Sequence, residues 1–115
     1  LSTREDHIAP WKSTYAGVHA YGGSTKFCLA ASGHIAGVVN PADSGKYSHW
    51  LNSKKPRDLD AWLAGAMEKP GSWWPEWDKW IGRHGGGKVA ARTPGDGDLD
   101  VIEDAPGSYV MVKLK

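Results

Sequence analysis

Asp6 and His34 are the two side chains whose types and setting suit proton-transfer chemistry. Each follows a segment that reads as a strand, and the sequence between those segments reads as a helix. A carboxylate beside an imidazole fixes its tautomer and stabilises the imidazolium, and the imidazole can then deprotonate a nucleophile. Acid followed by histidine, behind a nucleophile earlier in the chain, is one chain order of a nucleophile–histidine–acid triad. An Asp and a His on loops serve equally as solvated or capping groups, and spacing alone leaves both readings open. The third member has no candidate here. Neither a G-x-S-x-G elbow nor its cysteine equivalent occurs. Cys28 lies mid-strand between Phe27 and Leu29, the setting of a small buried hydrophobe with a raised thiol pKa. Ser32 also lacks the glycine elbow. The nucleophile is expected upstream in a longer protein, because the chain opens on Leu1 and enters apolar-periodic sequence almost at once.

The positioning elements follow from local pattern. Residues 1–9 read as a strand end and a polar loop. Pro10 opens a helix through Trp11, Tyr15, Val18 and Tyr21, which Gly22-Gly23 stops. Thr25–Ala31 is an apolar run of strand length closed by Ser32-Gly33. Strand, helix and strand in this order predict a right-handed parallel crossover. Open α/β sheets gather catalytic groups outside the carboxyl ends of such strands. With most of the first strand missing, Thr25–Ala31 is expected to be an apolar edge that invites self-association.

Downstream, Gly33–Pro41 reads as a loop turning into a short apolar segment, and 42–57 as a solvated basic loop. Leu59, Trp62, Leu63, Ala66 and Met67 form a helical stripe that Lys69-Pro70-Gly71 ends. Ser72 caps a second helix through Ile81. Residues 82–97 form a Gly-rich linker, and Leu99–Glu103 and Ser108–Leu114 read as two strand-like pieces. The expected organisation is 1–50 as the acid and histidine loops, 51–83 as a Trp-rich helical extension, and 84–115 as linker and tail.

Composition narrows the function. The 115 residues fit one domain or part of one, with 40% hydrophobic and 23% charged residues, an ordinary globular balance. Fourteen basic and thirteen acidic residues give a net charge of +1, which offers nucleic acid no attraction. No apolar run has the ~20 residues of a transmembrane helix. One cysteine excludes an internal disulfide and a four-cysteine zinc site, and is compatible with a cytosolic setting. The histidines lack metal-ligand spacing, so no metal is expected. Gly82–Lys88 imitates a phosphate loop but continues with Val89 and follows a helix, and Asp96-x-Asp98-x-Asp100 lacks the later residues of a calcium loop.

Seven tryptophans stand against four tyrosines and one phenylalanine, and four of the seven lie between Trp73 and Trp80. Trp62 has core spacing. Trp73 and Trp74 diverge by ~100° around a helix, so the cluster cannot share one stripe. Trp50, Trp73 and Trp74 are candidate substrate or interface residues. Packing against the rest of a larger enzyme is the plainer alternative.

Six passages resemble the C-terminal end of class I polyhydroxyalkanoate (PHA) synthases. They are REDHIAPW (Arg4–Trp11), ASGHIAGVVNP (Ala31–Pro41), SHW (Ser48–Trp50), WLAGA (Trp62–Ala66), GSWWPEWDKWI (Gly71–Ile81) and APGSYV (Ala105–Val110). The resemblance implies an α/β-hydrolase fold with a Cys-His-Asp triad, in which Asp6 is the acid, His34 is the base and the cysteine lies outside this chain. It further implies polymerisation of (R)-3-hydroxyacyl-CoA onto a growing polyester with release of CoA, at cytoplasmic storage granules. A homodimer, no cofactor and an inactive fragment follow from the same likeness. The rival readings are another α/β-hydrolase-type esterase or depolymerase, and a non-catalytic Trp-rich binding module.

Overall fold

The computed structural model describes residues 1–113. The chain divides into two compact units, Leu1–Gly85 and Gly86–Lys115. In the first, four strands form one sheet in the order β1 (Ser2–Thr3), β2 (Cys28–Ala30), β3 (Ser48–Leu51), β4 (Met67–Pro70). Strands β1 and β2 are parallel, with Ser2 opposite Leu29 and Thr3 opposite Ala30. Strand β3 runs antiparallel to both β2 and β4.

Helix α1 (Trp11–Gly17) connects the parallel pair, starting directly after Pro10. It is shorter than its apolar pattern predicts. Beyond Gly17 the amides of Val18, His19 and Ala20 bond to carbonyls three residues back, tightening the chain into turns before Tyr21. Trp11 and Tyr15, one helical turn apart, share a core with Phe27, Leu29 and Trp62. The Tyr15 ring meets Phe27 edge-on at 5.0 Å and Trp62 at 5.5 Å, the offset geometry that aromatic quadrupoles favour. The Tyr15 hydroxyl donates to the Pro56 carbonyl at 2.7 Å, so its burial leaves no lost hydrogen bond.

The 42–57 stretch is not one solvated loop, because Ser48–Leu51 supplies β3. Trp50 of that strand faces Leu29 across the ladder and packs against the core, which repays pairing in an otherwise polar stretch. Strand β2 is therefore flanked on both sides and is not an edge; β1 and β4 are.

The helix predicted to run up to Lys69-Pro70-Gly71 is also shorter. Helix α2 (Leu59–Ala64) is capped by the Asp58 carboxylate, which accepts from the Ala61 amide at 2.7 Å. It stops at Gly65, where the Asn52 side-chain amide donates to the Trp62 carbonyl at 2.8 Å. Met67–Pro70 then pairs with β3, which gives its backbone the partners that a continued helix would have given. The expected helical segment 51–83 thus contains a strand, and its border at residue 50 falls inside β3.

Helix α3 (Trp74–Ile81) follows the predicted span closely, and Ser72 Oγ accepts from its first amide at 3.0 Å. Cys28 and Leu51 point away from the core face, as strand alternation requires, and with Trp73, Trp77 and Trp80 they line a groove of about 300 Å³. Glu76 of α3 pairs with Lys69 and with Lys26 at 3.3 Å. Helices therefore cover both faces of the sheet. No helix among the described residues is long and apolar enough to cross a membrane.

In residues 86–113 the β-like tail is absent. Leu99–Glu103 forms no strand, and Tyr109–Met111 makes one 3₁₀ turn. The apolar side chains there stand exposed (Ile102 by 96%) with no ladder to join. Leu114, the end of the second expected piece, lies outside the described residues.

Trp62→Ala is expected to destabilise residues 1–85 by about 3–5 kcal/mol in urea unfolding, as core aromatic truncations do. Trp77→Ala, at a half-exposed position, is expected to cost much less.

Candidate active site

The parallel pairing of β1 and β2 continues past both strands and brings two loops together. The Arg4 amide donates to the Ala30 carbonyl at 2.8 Å, and the Glu5 amide to the Ser32 carbonyl at 3.1 Å. Asp6 follows at once on the first loop. On the second, Ser32 takes a left-handed φ of 69° and redirects the chain. A helical turn begins there, closed by the Gly37 amide on the Gly33 carbonyl at 2.9 Å, and it carries His34.

His34 Nδ1 lies 3.8 Å from Asp6 Oδ1, beyond hydrogen-bond length but within ion-pair range. Catalytic hydrogen bonds are often long in unliganded structures and tighten around substrate. The carboxylate side chain is 11% exposed and the imidazole 40%, so the carboxylate is covered while the imidazole stays accessible. Asp6 Oδ1 also accepts from the amides of Ile8 at 2.8 Å and Ala9 at 2.9 Å. The Ala9 amide first, then that of Ile8 and the imidazoles of His34 and His7, hold the carboxyl below the usual aspartate range. Desolvation opposes the shift without reversing it. This carboxylate is built to stay ionised.

The histidine turn is pinned from α3. The Trp73 indole donates to the carbonyls of Gly37 at 3.1 Å and Val38 at 3.2 Å, and the Trp74 indole to Val38 at 2.9 Å. Ser72 Oγ donates to the Asn40 carbonyl, and buried Asn40 donates onward to Lys46 at 3.0 Å. Trp73 and Trp74, read from sequence as substrate or interface residues, thus have their polar edges on the turn behind His34. Trp50 stands apart on the core face of β3, with the Arg4 guanidinium 4.9 Å above its ring. Cys28 lies in the α3 groove, and burial pushes its thiol up to about 11. Thiolate chemistry at neutral pH is closed to it.

Two residues of this site escaped the sequence reading. Gly37 is one: an added Cβ would come within 2.3 Å of the Ala31 carbonyl oxygen and 2.6 Å of the Thr3 methyl. His7 is the other; its ring meets that of His34 with centroids 5.9 Å apart. The only local signal for it was its place directly after the acid. Among the described residues, no group of three or more His, Cys, Asp or Glu side chains could hold a metal ion.

Fold and site together define a mixed α/β unit that presents an acid–imidazole pair beyond the ends of two parallel strands. No protein-family model matches the chain. It is 54% identical over 111 residues to the poly(3-hydroxyalkanoate) polymerase subunit PhaC of Rhizobium etli, covering 96% of this chain and 18% of that protein. The corresponding subunits of Rhizobium meliloti and Cupriavidus necator are 49% and 47% identical, again over nearly the whole chain. The chain spans about 18% of the length of these relatives. It is homologous to one segment of the poly(3-hydroxyalkanoate) polymerases.

Gly37→Ala is expected to destabilise residues 1–85 by about 1–3 kcal/mol in thermal unfolding, because the backbone it approaches cannot move aside cheaply. A depressed carboxyl pKa adds stability that is full above the unfolded value and fades as pH falls through the folded one. The stability difference between the native chain and Asp6→Asn is therefore expected to be largest near neutrality. It should shrink as pH drops below the ordinary aspartate value of about 3.9.

Proposed function

We propose that Asp6 and His34 are the acid and base of a Cys-His-Asp triad in a poly(3-hydroxyalkanoate) polymerase with an α/β-hydrolase sheet. The cysteine comes from polypeptide outside these 115 residues. The substrate is an (R)-3-hydroxyacyl-CoA, the acceptor is the growing polyester chain, and CoA is released. The observation that carries this reading is the 3.8 Å approach of His34 Nδ1 to a carboxylate kept ionised by two backbone amides.

In the first half-reaction the cysteine thiol gives its proton to His34 Nε2, and the sulfur attacks the thioester carbonyl. Asp6 holds the imidazole in the tautomer with its proton on Nδ1 and stabilises the imidazolium that forms. CoA leaves with the proton. In the second half-reaction a 3-hydroxyl attacks the acyl carbon on the cysteine, with Asp6, directly or through His34, as the source of general-base help; the C–S bond breaks and the departing thiolate regains the proton. Transfer between two sulfurs is nearly balanced, whereas ester formation from a thioester runs downhill.

Action at the surface of cytoplasmic storage granules and assembly as a homodimer belong to the same proposal. The half-exposed indole of Trp77 on α3 supports contact with an apolar surface or a second subunit. Another esterase or depolymerase of the same fold would need a serine at the elbow. A Trp-rich sugar-binding module would need coplanar open indoles, whereas Trp73 and Trp77 meet at 71°.

In the full-length enzyme, His34→Gln is expected to lower kcat by about 10⁴–10⁶-fold, the range seen when a triad member is removed. Asp6→Asn is expected to slow elongation more than the first acylation. Single-turnover CoA release against steady-state polymer formation checks this, and equal losses in both would contradict the division of labour.

A further inference from the structure

The turn that fixes Asp6 also positions its neighbour. Because Oδ1 accepts from the amides of Ile8 and Ala9, His7 occupies the apex of a tight loop. Its ring meets His34 at an interplanar angle of 67°, with centroids 5.9 Å apart. Both imidazoles are exposed, while the Asp6 carboxylate is largely covered. An incoming molecule therefore meets two imidazoles.

Their roles cannot be the same. His34 turns Nδ1 toward Asp6, which leaves Nε2 to take a proton. With centroids 5.9 Å apart, both rings lie close enough to touch one substrate group that docks beside them. In triads of this chain order the oxyanion is held by backbone N–H groups at the nucleophile and on an upstream loop. The group left for His7 is the attacking hydroxyl, whose oxygen must be oriented while it loses its proton.

We propose that His7 contacts substrate, donating a ring N–H to the 3-hydroxyl oxygen of the attacking hydroxyacyl unit while His34 Nε2 receives the hydroxyl proton. The inference rests on the acid–imidazole reading above. In that step the hydroxyl oxygen forms the new C–O bond to the acyl carbon. The acyl C–S bond breaks, its electron pair stays on sulfur, and the thiolate recovers the proton from His34. His7 keeps its own proton throughout and selects substrates that carry a hydroxyl.

The test uses the full-length polymerase with two substrates. One is a 3-hydroxyacyl-CoA, followed through elongation; the other is the matching acyl-CoA without the hydroxyl, followed through single-turnover CoA release. His7→Leu is expected to lower the first rate about tenfold more than the second, the worth of one hydrogen bond to a reacting group. His7→Gln, which retains an N–H donor, is expected to recover most of that loss. Equal losses on the two substrates, no loss, or no recovery with Gln would overturn the proposal. His34→Gln separates the two levels. Full activity in that variant sinks the acid–imidazole reading itself; loss of both reactions there, with His7→Leu unaffected, sinks only the role of His7.

Discussion

Everything at the site depends on backbone pairing between two short parallel strands. Strand β1 has two residues and β2 three, yet their hydrogen bonding runs on through Arg4 to Ala30 and Glu5 to Ser32. That extension fixes the distance between the acid loop and the histidine loop before any side chain contributes. Gly37 lets the histidine turn press against the strand ends, within contact of Ala31 and Thr3. A side chain there would push His34 away from Asp6. The acid–imidazole geometry is thus a property of main-chain packing, which is stiff, rather than of two flexible side chains finding each other.

The second support comes from the other end of the sequence. Strand β4 and helix α3 close the sheet, and the indole N–H groups of Trp73 and Trp74 meet carbonyls at the exit of the histidine turn. Indole is a donor with a large apolar body, so one side chain can both fill space and satisfy a buried carbonyl. The tryptophan richness of residues 73–80 then has a structural share and a surface share: Trp73 and Trp74 anchor, while Trp77 keeps half its surface open. On the opposite face, the aromatic cluster around Trp62 and Tyr15 holds α1 and α2 against β2.

The sequence was legible where a residue's neighbours in the chain were also its neighbours in space. The Trp11–Tyr15 stripe, the helix from Trp74 and the parallel β1–α1–β2 unit all follow from local period and punctuation. The pairing of Asp6 with His34 was legible for a related reason, since both fall just beyond strand ends of one such unit. Long-range pairing was not legible. Ser48–Leu51 and Met67–Pro70 carry no strand signal of their own and become strands because each supplies the other's hydrogen bonds. The apolar spacing through Ala66 and Met67 suggested a longer helix, yet Ala66 reaches the core from beyond the helix end and Met67 is exposed. Donors on Trp73 and Trp74 were equally hidden, because their acceptors lie about 36 residues away.

The central claim is that Asp6 dictates the state of the His34 ring. Nitrogen-15 chemical shifts of that imidazole, recorded where the ring is neutral, report directly which nitrogen carries the proton. The proton is expected on Nδ1 in the native sequence, and replacing Asp6 with alanine should redistribute it toward Nε2. The same tautomer mixture in both proteins would mean that the carboxylate and the imidazole are only neighbours.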